Sequence, residues 1–328
     1  MKTIKITYPS TNPIQRQIPV NHLLYSDYKF VINESIKSCD YWVVFDTLVR
    51  DEETECSPNN TFLFLGEPPS VKHYSKKYLN NFANVVSCHR SIRHKSHIIS
   101  NPLLAWFVGL SFDRNLNAFD QLNYWSYDDL KSQSFKNKSK TLAIITSNKI
   151  LSKGHRKRVE FVELLQHEFG GSLDVYGHGY LDIADKLDVL KEYKYTIVIE
   201  NGSFSDYWTE KLADAFLCEC FPIYYGCTNI YKYFPKESLS IIDINKPVEA
   251  IKKIKAILDS NFYEQKRPFI INSKRLVLEN YNMFTQIIRC IKMKNIHSLP
   301  QAKSVIRFSP ERLTIFDKIR NRLVRFVG

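Results

Sequence analysis

The stretch Ile199–Gly226, IENGSFSDYWTEKLADAFLCECFPIYYG, decides the fold. It begins as the apolar run Tyr195-Thr196-Ile197-Val198-Ile199 ends, and it crosses a polar loop that opens with Glu200-Asn201. An amphipathic segment follows over 207–219, with Trp208, Leu212, Ala215 and Phe216 on one helical face. A second apolar run, Phe221–Tyr225, then stops at Gly226. Strand, helix and strand in this order imply a parallel sheet covered by helices. Asp206 suits the helix N-cap, and the free N–H groups of the first turn suit a phosphate. The pair Glu210-Lys211 falls in that turn.

The same alternation extends both ways. Upstream lie a strand at Thr141–Ile145, a helix over about 155–168, a strand at Leu173–Tyr176 and a short helix at 187–193. Downstream lie a strand at Ser240–Ile244 and a helix at Pro247–Ser260. Four strands are expected earlier, at Thr3–Thr7, Asp40–Asp46, Thr61–Leu65 and Val85–Ser87. The polar, lysine-rich segment KSQSFKNKSK (131–140) reads as a linker. The expectation is an α/β protein of two Rossmann-like domains facing each other across a cleft. Residues 1–133 form one domain, 134–290 the second, and 291–328 a basic tail.

The 328 residues are 44% apolar and 24% charged, as in ordinary globular proteins, and carry a formal charge of +12. A basic chain attracts phosphates, whether in nucleic acid, anionic lipid or a nucleotide-linked substrate. Aromatic-basic RNA motifs and a DNA-reading helix pattern are missing, so nucleic acid is not an expected partner. The N-terminal MKTIKITYPS lacks a signal-peptide core, and no apolar run reaches membrane-spanning length. A cytoplasmic location is expected. The seven cysteines have no metal-ligand spacing and are read as reduced, buried thiols.

In open α/β sheets, ligands bind beyond the carboxyl ends of the strands. Ser147-Asn148, Gly177-His178, Glu200-Asn201 and Gly226-Cys227 occupy such ends. Lys211 reaches the same place and Arg158 approaches from the preceding helix, so the two cations could hold a diphosphate without metal. By charge pattern alone, Glu210 and Lys211 equally suit a solvated face, with Asn201 as a turn residue and Tyr207 as a staple.

A long ordered pattern bears on that choice. Glu200-Asn201, then Asp206-Tyr207-Trp208-Thr209-Glu210-Lys211-Leu212, Phe221-Pro222-Ile223-Tyr224-Tyr225-Gly226 and Tyr233-Phe234-Pro235 together resemble the signature of the α-1,3/4-fucosyltransferases, glycosyltransferase family 10, of bacterial type. Gly202 replaces the family's usual Ser, and Cys227 follows Gly226. Ile145–Asn148, Arg158 with Phe161 and Leu165, and Asp174–Gly177 resemble further family blocks, so the likeness spans about residues 141–285. It implies the two-domain GT-B fold and an inverting transfer of L-fucose from GDP-fucose to a glycan hydroxyl. An α-1,3 link to GlcNAc or Glc in a bacterial surface glycan, such as lipopolysaccharide, is the expected product.

Carried over by position, Arg158 and Lys211 neutralise the diphosphate, Asn201 and Tyr207 help bind the nucleotide sugar, and Glu210 contacts the sugar or ribose. Ser147, Asn148, Gly177, His178 and Glu200 complete the donor set. Glu67, in Leu65-Gly66-Glu67-Pro68-Pro69-Ser70, resembles the family's Glu-Ser-Pro element with Pro68 in place of Ser, which implies the catalytic base. No metal or other cofactor is expected beyond the donor substrate. His89 and His155 read as surface residues. Two rivals remain: the same fold with another GDP-sugar, and an inactive glycan-binding module, which would be expected to lose Glu67, Arg158 or Lys211.

The tail SVIRFSPERLTIFDKIRNRLVRFVG (304–328) is expected to form a helix from Pro310, capped by Ser309. Leu313, Phe316, Ile319, Leu323 and Phe326 make an apolar stripe, with Arg312, Lys318, Arg320, Arg322 and Arg325 beside it. That pattern suits peripheral contact with an anionic membrane, on the inner face of the cytoplasmic membrane. The tail is expected to be dispensable for chemistry beyond Gln301.

Overall fold

The computed structural model describes residues 1–20, 23–103, 105–113, 115–150, 152–260, 262–295 and 302–327. In chain order the strands are β1 (Lys2–Thr7), β2 (Tyr28–Ile32), β3 (Tyr41–Phe45), β4 (Glu52–Cys56), β5 (Thr61–Phe64), β6 (Asn84–Ser87), β7 (His97–Ile99), β8 (Leu110–Asp113), β9 (Ala118–Tyr124), β10 (Lys140–Ile145), β11 (Asp174–Tyr176), β12 (Tyr193–Ile199), β13 (Phe221–Tyr225), β14 (Ser240–Ile241) and β15 (Ser304–Phe308). The helices are α1 (Lys76–Leu79), α2 (Tyr127–Ser132), α3 (Lys153–Phe169), α4 (Lys186–Leu190), α5 (Glu210–Leu217), α6 (Pro247–Ser260), α7 (Tyr263–Arg275), α8 (Met283–Asn295) and α9 (Ile315–Val327). They fall into two compact units: residues 1–11, 19–103 and 283–328 form the first, and 12–18 and 104–282 the second.

The first unit holds six parallel strands in the order β2-β1-β3-β5-β6-β7. β3, β5 and β6 are buried along their whole lengths, so they read as solid apolar runs. β2 and β7 are edge strands, each with one buried residue, and their sequences carry little periodicity.

The tail departs from expectation. Residues Ser304–Phe308 form β15, antiparallel to β4, instead of leading directly into a helix. Phe308 is buried against Phe82 and Trp42, with ring centroids 4.3 and 4.6 Å away. The helix starts only after Thr314, whose N–H and Oγ1 donate to Asp317 Oδ2 at 2.9 and 2.7 Å. The Asp317 N–H returns to Thr314 Oγ1 at 3.1 Å. Ser309 is no cap because the chain is still leaving the strand there. α8 also joins this unit: Phe284 packs on Phe30 at 4.8 Å, and Thr285 Oγ1 lies 2.7 Å from Tyr25 Oη. The chain therefore re-enters the first unit at Met283, not at residue 291.

The second unit holds five parallel strands in the order β11-β10-β12-β13-β14. The chain crosses into it near residue 104, well before the expected boundary at 134. The lysine-rich segment is no linker. Phe135 is buried, and so is Lys138, whose Nζ donates to the Leu190 carbonyl at 2.8 Å. A long aliphatic stem carries that charge inward to a main-chain acceptor. Residues 12–18 join through Arg16, which donates to the carbonyls of Trp106 and Trp125 at 2.6 Å each.

Candidate active site

The order of the second sheet has one topological switch. From β10 the chain moves to β11 on one side, then to β12 on the other. The crevice beyond the ends of β10 and β12 is therefore where a ligand is expected. Arg158 spans it from α3. Its NH2 donates to the Ser147 carbonyl and Oγ at 3.1 and 3.3 Å, after β10. Its NH1 donates to Asn201 Oδ1 at 2.8 Å, after β12.

α3 is placed by Ser152, whose Oγ accepts the His155 N–H at 3.3 Å and lies 2.6 Å from His155 Nδ1. His155 is thus a buried capping partner rather than a surface residue. Gly154 lets this turn press on the second loop: a Cβ there would meet the Asn201 carbonyl oxygen at 2.3 Å.

The Arg158 guanidinium is 5% exposed, and all its hydrogen-bond partners are neutral oxygens. Among the described residues it makes no ion pair, and its Nε has no partner. Burial lowers its pKa from the ordinary value. A buried positive charge without a carboxylate is unfavourable by itself and suits an anionic ligand.

α5 stands on the other side of the Glu200–Asn201 loop. It starts at Glu210, capped by Thr209 rather than Asp206. Asp206 is fully buried at φ 62° in the loop. Its Oδ1 accepts from Tyr233 Oη, Asn229 Nδ2 and Lys232 Nζ at 2.7, 3.0 and 3.1 Å. Asp206 thereby ties the loop to Asn229–Tyr233.

Glu200 is placed at the start of α5. It is 1% exposed, and its two oxygens accept the Thr209 N–H and Oγ–H at 2.8 and 2.7 Å. The carboxylate is thus spent on the start of α5. Burial raises its pKa, and Lys211 opposes that rise. Gly226 gives it room: a Cβ there would come within 2.5 Å of Glu200 Cγ.

Lys211 Nζ lies 3.2 Å from Glu210 Oε1, 3.2 Å from Thr209 Oγ1 and 3.5 Å from Glu200 Oε2. Burial acts to lower the Lys211 pKa, but the two carboxylates outweigh it and hold the ammonium above its ordinary value. Burial likewise pushes Glu210 up, while Lys211 and then Lys186 bring it below the usual carboxylate range. Both side chains stay ionised near neutral pH.

Tyr207 is buried behind this cluster, and Phe204 packs edge-on to it at 6.3 Å. Asn148 and His178 are exposed at the neighbouring strand ends, with His178 Nδ1 3.3 Å from Asn148 Oδ1. Gly177, at φ 111°, brings its turn against Thr146, whose carbonyl oxygen a Cβ would meet at 2.0 Å.

Glu67 lies in the first unit, beyond the end of β5. Its N–H donates to Tyr74 Oη at 3.4 Å, and its carbonyl meets His89 Nε2. Tyr74 Oη donates in turn to Asp46 Oδ1 at 2.5 Å, which also accepts the Gly66 N–H at 3.0 Å. The backbone at Glu67 is therefore clamped on both sides. His89 is buried and performs part of that clamping, contrary to its reading as a surface residue. Its partner lies 22 positions away in sequence, so no local pattern announces it.

Several known proteins are similar to parts of this chain. The zebrafish (Danio rerio) GDP-fucose protein O-fucosyltransferase 3 is 29% identical over 108 residues, 33% of this chain and 23% of that protein. The Helicobacter pylori alpha-(1,3)-fucosyltransferase FucT is 36% identical over 78 residues, 24% of this chain and 16% of that protein. The chain thus spans less than a quarter of the length of these two relatives. A crystal structure of an alpha1,3-fucosyltransferase with GDP-fucose is similar at 17% identity and a TM-score of 0.47, over 91% of each chain. The C-terminal domain of glycosyltransferase family 10 (fucosyltransferase) matches residues 135–301, half of the chain and the whole crevice. The chain belongs to glycosyltransferase family 10, the fucosyltransferases.

Proposed function

We propose that this protein is an inverting fucosyltransferase that moves L-fucose from GDP-fucose to a glycan hydroxyl, forming an α-1,3 link to GlcNAc or Glc. The observation that carries the reading is Arg158, a buried guanidinium at the topological switch with only neutral oxygens around it. A diphosphate there meets a buried positive charge that makes no direct ion pair among the described residues. Lys211 stands at the same loop, and Glu210 and Glu200 set its position. The two cations stabilise the departing GDP, the role oxyanion donors have elsewhere. They also stand in for a metal, so no divalent ion is required.

In this reading Glu67 takes the proton from the acceptor hydroxyl as the hydroxyl attacks the anomeric carbon. One displacement forms the new bond as the GDP bond breaks, which inverts the anomeric centre. The clamp by Tyr74 and His89 fixes the backbone from which Glu67 reaches. The acceptor belongs to a surface glycan made on the cytoplasmic side. α9 rests there on anionic membrane through Phe316, Ile315 and Ile319, which are 84, 75 and 52% exposed beside Lys318 and Arg320. The stripe's Leu323 and Phe326 lie outside the described side chains, and among the described residues no helix is long and apolar enough to cross a membrane.

The test is GDP release from a panel of nucleotide sugars with mixed glycan acceptors, repeated with Glu67→Gln. GDP-fucose alone should turn over, and Glu67→Gln should bind it without transferring. Turnover of a different GDP-sugar would replace the donor, and ordinary transfer by Glu67→Gln would replace the base.

A further inference from the structure

The net charge is not spread evenly. Between Pro68 and Leu103 the chain has Lys72, Lys76, Lys77, Arg90, Arg93 and Lys95, and no Asp or Glu. That one segment supplies half of the +12. Part of it lines a cavity of about 560 Å³, walled by Lys76, Asn80, Arg93, His94 and Lys95. Lys76, Asn80, Arg93 and Lys95 are exposed, and among the described residues Lys76, Arg93 and Lys95 make no ion pair.

The pocket is built on a fixed frame. Lys76 and Asn80 stand one turn apart at α1, which Ser75 caps through the Tyr78 N–H at 3.2 Å. The opposite wall is Arg93-His94-Lys95, just before β7. The His94 ring is held between two carbonyl oxygens, of Phe82 at 3.1 Å from Nε2 and of Ser96 at 3.0 Å from Nδ1. Ser96 Oγ donates to Asn84 Oδ1 at 2.7 Å, and Asn84 Nδ2 donates to the Asn59 and Thr61 carbonyls at 3.1 and 3.2 Å. The three cations thus project from a preorganised rim, and like charges held this close repel unless an anion sits among them.

Its position within the first unit separates it from Glu67. Asn80 and Lys95 lead into β6 and β7, so the pocket lies at the amino edge of the first sheet. Glu67 follows the carboxyl end of β5 on the other edge, and the four residues of β6 put about 13 Å between the edges.

We propose that this pocket is a second anion site, which takes the phosphate or diphosphate of a ligand other than the sugar donor. Lys76, Arg93 and Lys95 supply the charge, Asn80 supplies an amide donor, and the volume admits a phosphate with part of the group it esterifies. Arg93 is the residue suited to a bidentate contact with two phosphate oxygens. The ligand is either a phospholipid headgroup or a soluble phosphorylated molecule. The inference does not depend on the donor assignment.

The experiment is hydrogen exchange of the full chain with inorganic pyrophosphate, read at residues 76–80 and 93–96. Protection there should appear in the wild type and persist in Lys211→Ala, which lacks a donor-site cation. It should vanish in Lys76→Ala/Arg93→Ala/Lys95→Ala and weaken at least about tenfold in the single variant Lys95→Glu, on the scale of one charged contact. Exchange with phosphatidylglycerol vesicles in place of pyrophosphate, read at the same residues and so apart from α9, separates the sources. Protection there that the triple variant loses identifies a headgroup, and its absence in a wild type that pyrophosphate does protect identifies a soluble ligand. Wild-type exchange that ignores pyrophosphate at these residues, or equal protection in Lys95→Glu, overturns the proposal.

Discussion

Replacing Glu200 by Gln tests whether this residue positions the site rather than binding donor. The change keeps shape, which matters because Gly226 leaves no spare room beside Cγ. It removes the charge and substitutes an NH2 for one of the two oxygens that hold Thr209. Whichever way the amide faces, one Thr209 donor loses its acceptor, and Lys211 loses a carboxylate 3.5 Å away. A hydrogen bond to a charged group contributes about 1.5–3 kcal/mol, so unfolding stability should fall by roughly 2 kcal/mol. The change also loosens the start of α5, where Lys211 is held. A displacement of about 1 Å at a reacting group costs on the order of a hundredfold, so kcat should fall between about tenfold and a hundredfold. KM for GDP-fucose should move less, because Glu200 is 1% exposed and has no oxygen to offer a ligand. The assays are steady-state GDP release and urea unfolding on the same preparation. Wild-type kcat with a large rise in KM would mean that Glu200 touches the donor, and the reasoning would be wrong.

Ending the chain after Gln301 removes β15 and opens the Phe308 site, so it should destabilise the first unit by at least the about 3–5 kcal/mol of a Phe-to-Ala core change. A chain ending after Thr314 keeps β15 and loses only the α9 contact in which Asn321 Oδ1 accepts the His73 N–H, so it should lose less stability; equal stability of the two truncations would refute this. Acid should weaken the first unit through His73, His89 and His97, whose pKa values burial lowers below 6.5. The unfolded state then binds more protons than the folded one, so stability is full above pH 6.5 and falls as pH drops through the lowered values. Urea unfolding from pH 7 downward should show that loss, and His89→Gln should reduce it; a flat profile in the wild type would contradict the assignment.

The parts of this structure that were legible in the sequence are those whose partners lie close along the chain. β12, α5 and β13 announce themselves because a solidly buried strand and an amphipathic helix leave strong local patterns. Arg158 and Asn201 meet at the crevice and Lys211 stands at the start of α5, each at a strand end or in the helix beside one. What failed depended on distant partners. Asp206 and Thr209 are both good caps, and Tyr233, 27 positions from Asp206, decides between them. Lys138 looks like solvent-facing charge until Leu190 supplies its acceptor. β15 pairs with a strand some 250 residues earlier, and no local periodicity can show that. Glu200 belongs with these: nothing local in the sequence shows that Thr209, nine positions on, donates to both its oxygens.

Calorimetric binding of GDP to the wild type and to Arg158→Gln tests the part of Arg158 most directly. The wild type should bind GDP, and the variant should lose about 2–4 kcal/mol of that binding, the scale of a charge-assisted contact in a protected site. Its unfolding midpoint should fall only slightly, because the lost hydrogen bonds to Ser147 and Asn201 are offset by removal of a buried positive charge that makes no direct ion pair among the described residues. Equal GDP affinity in the two proteins, or a marked loss of stability in the variant, would show that the guanidinium serves the fold and not the diphosphate.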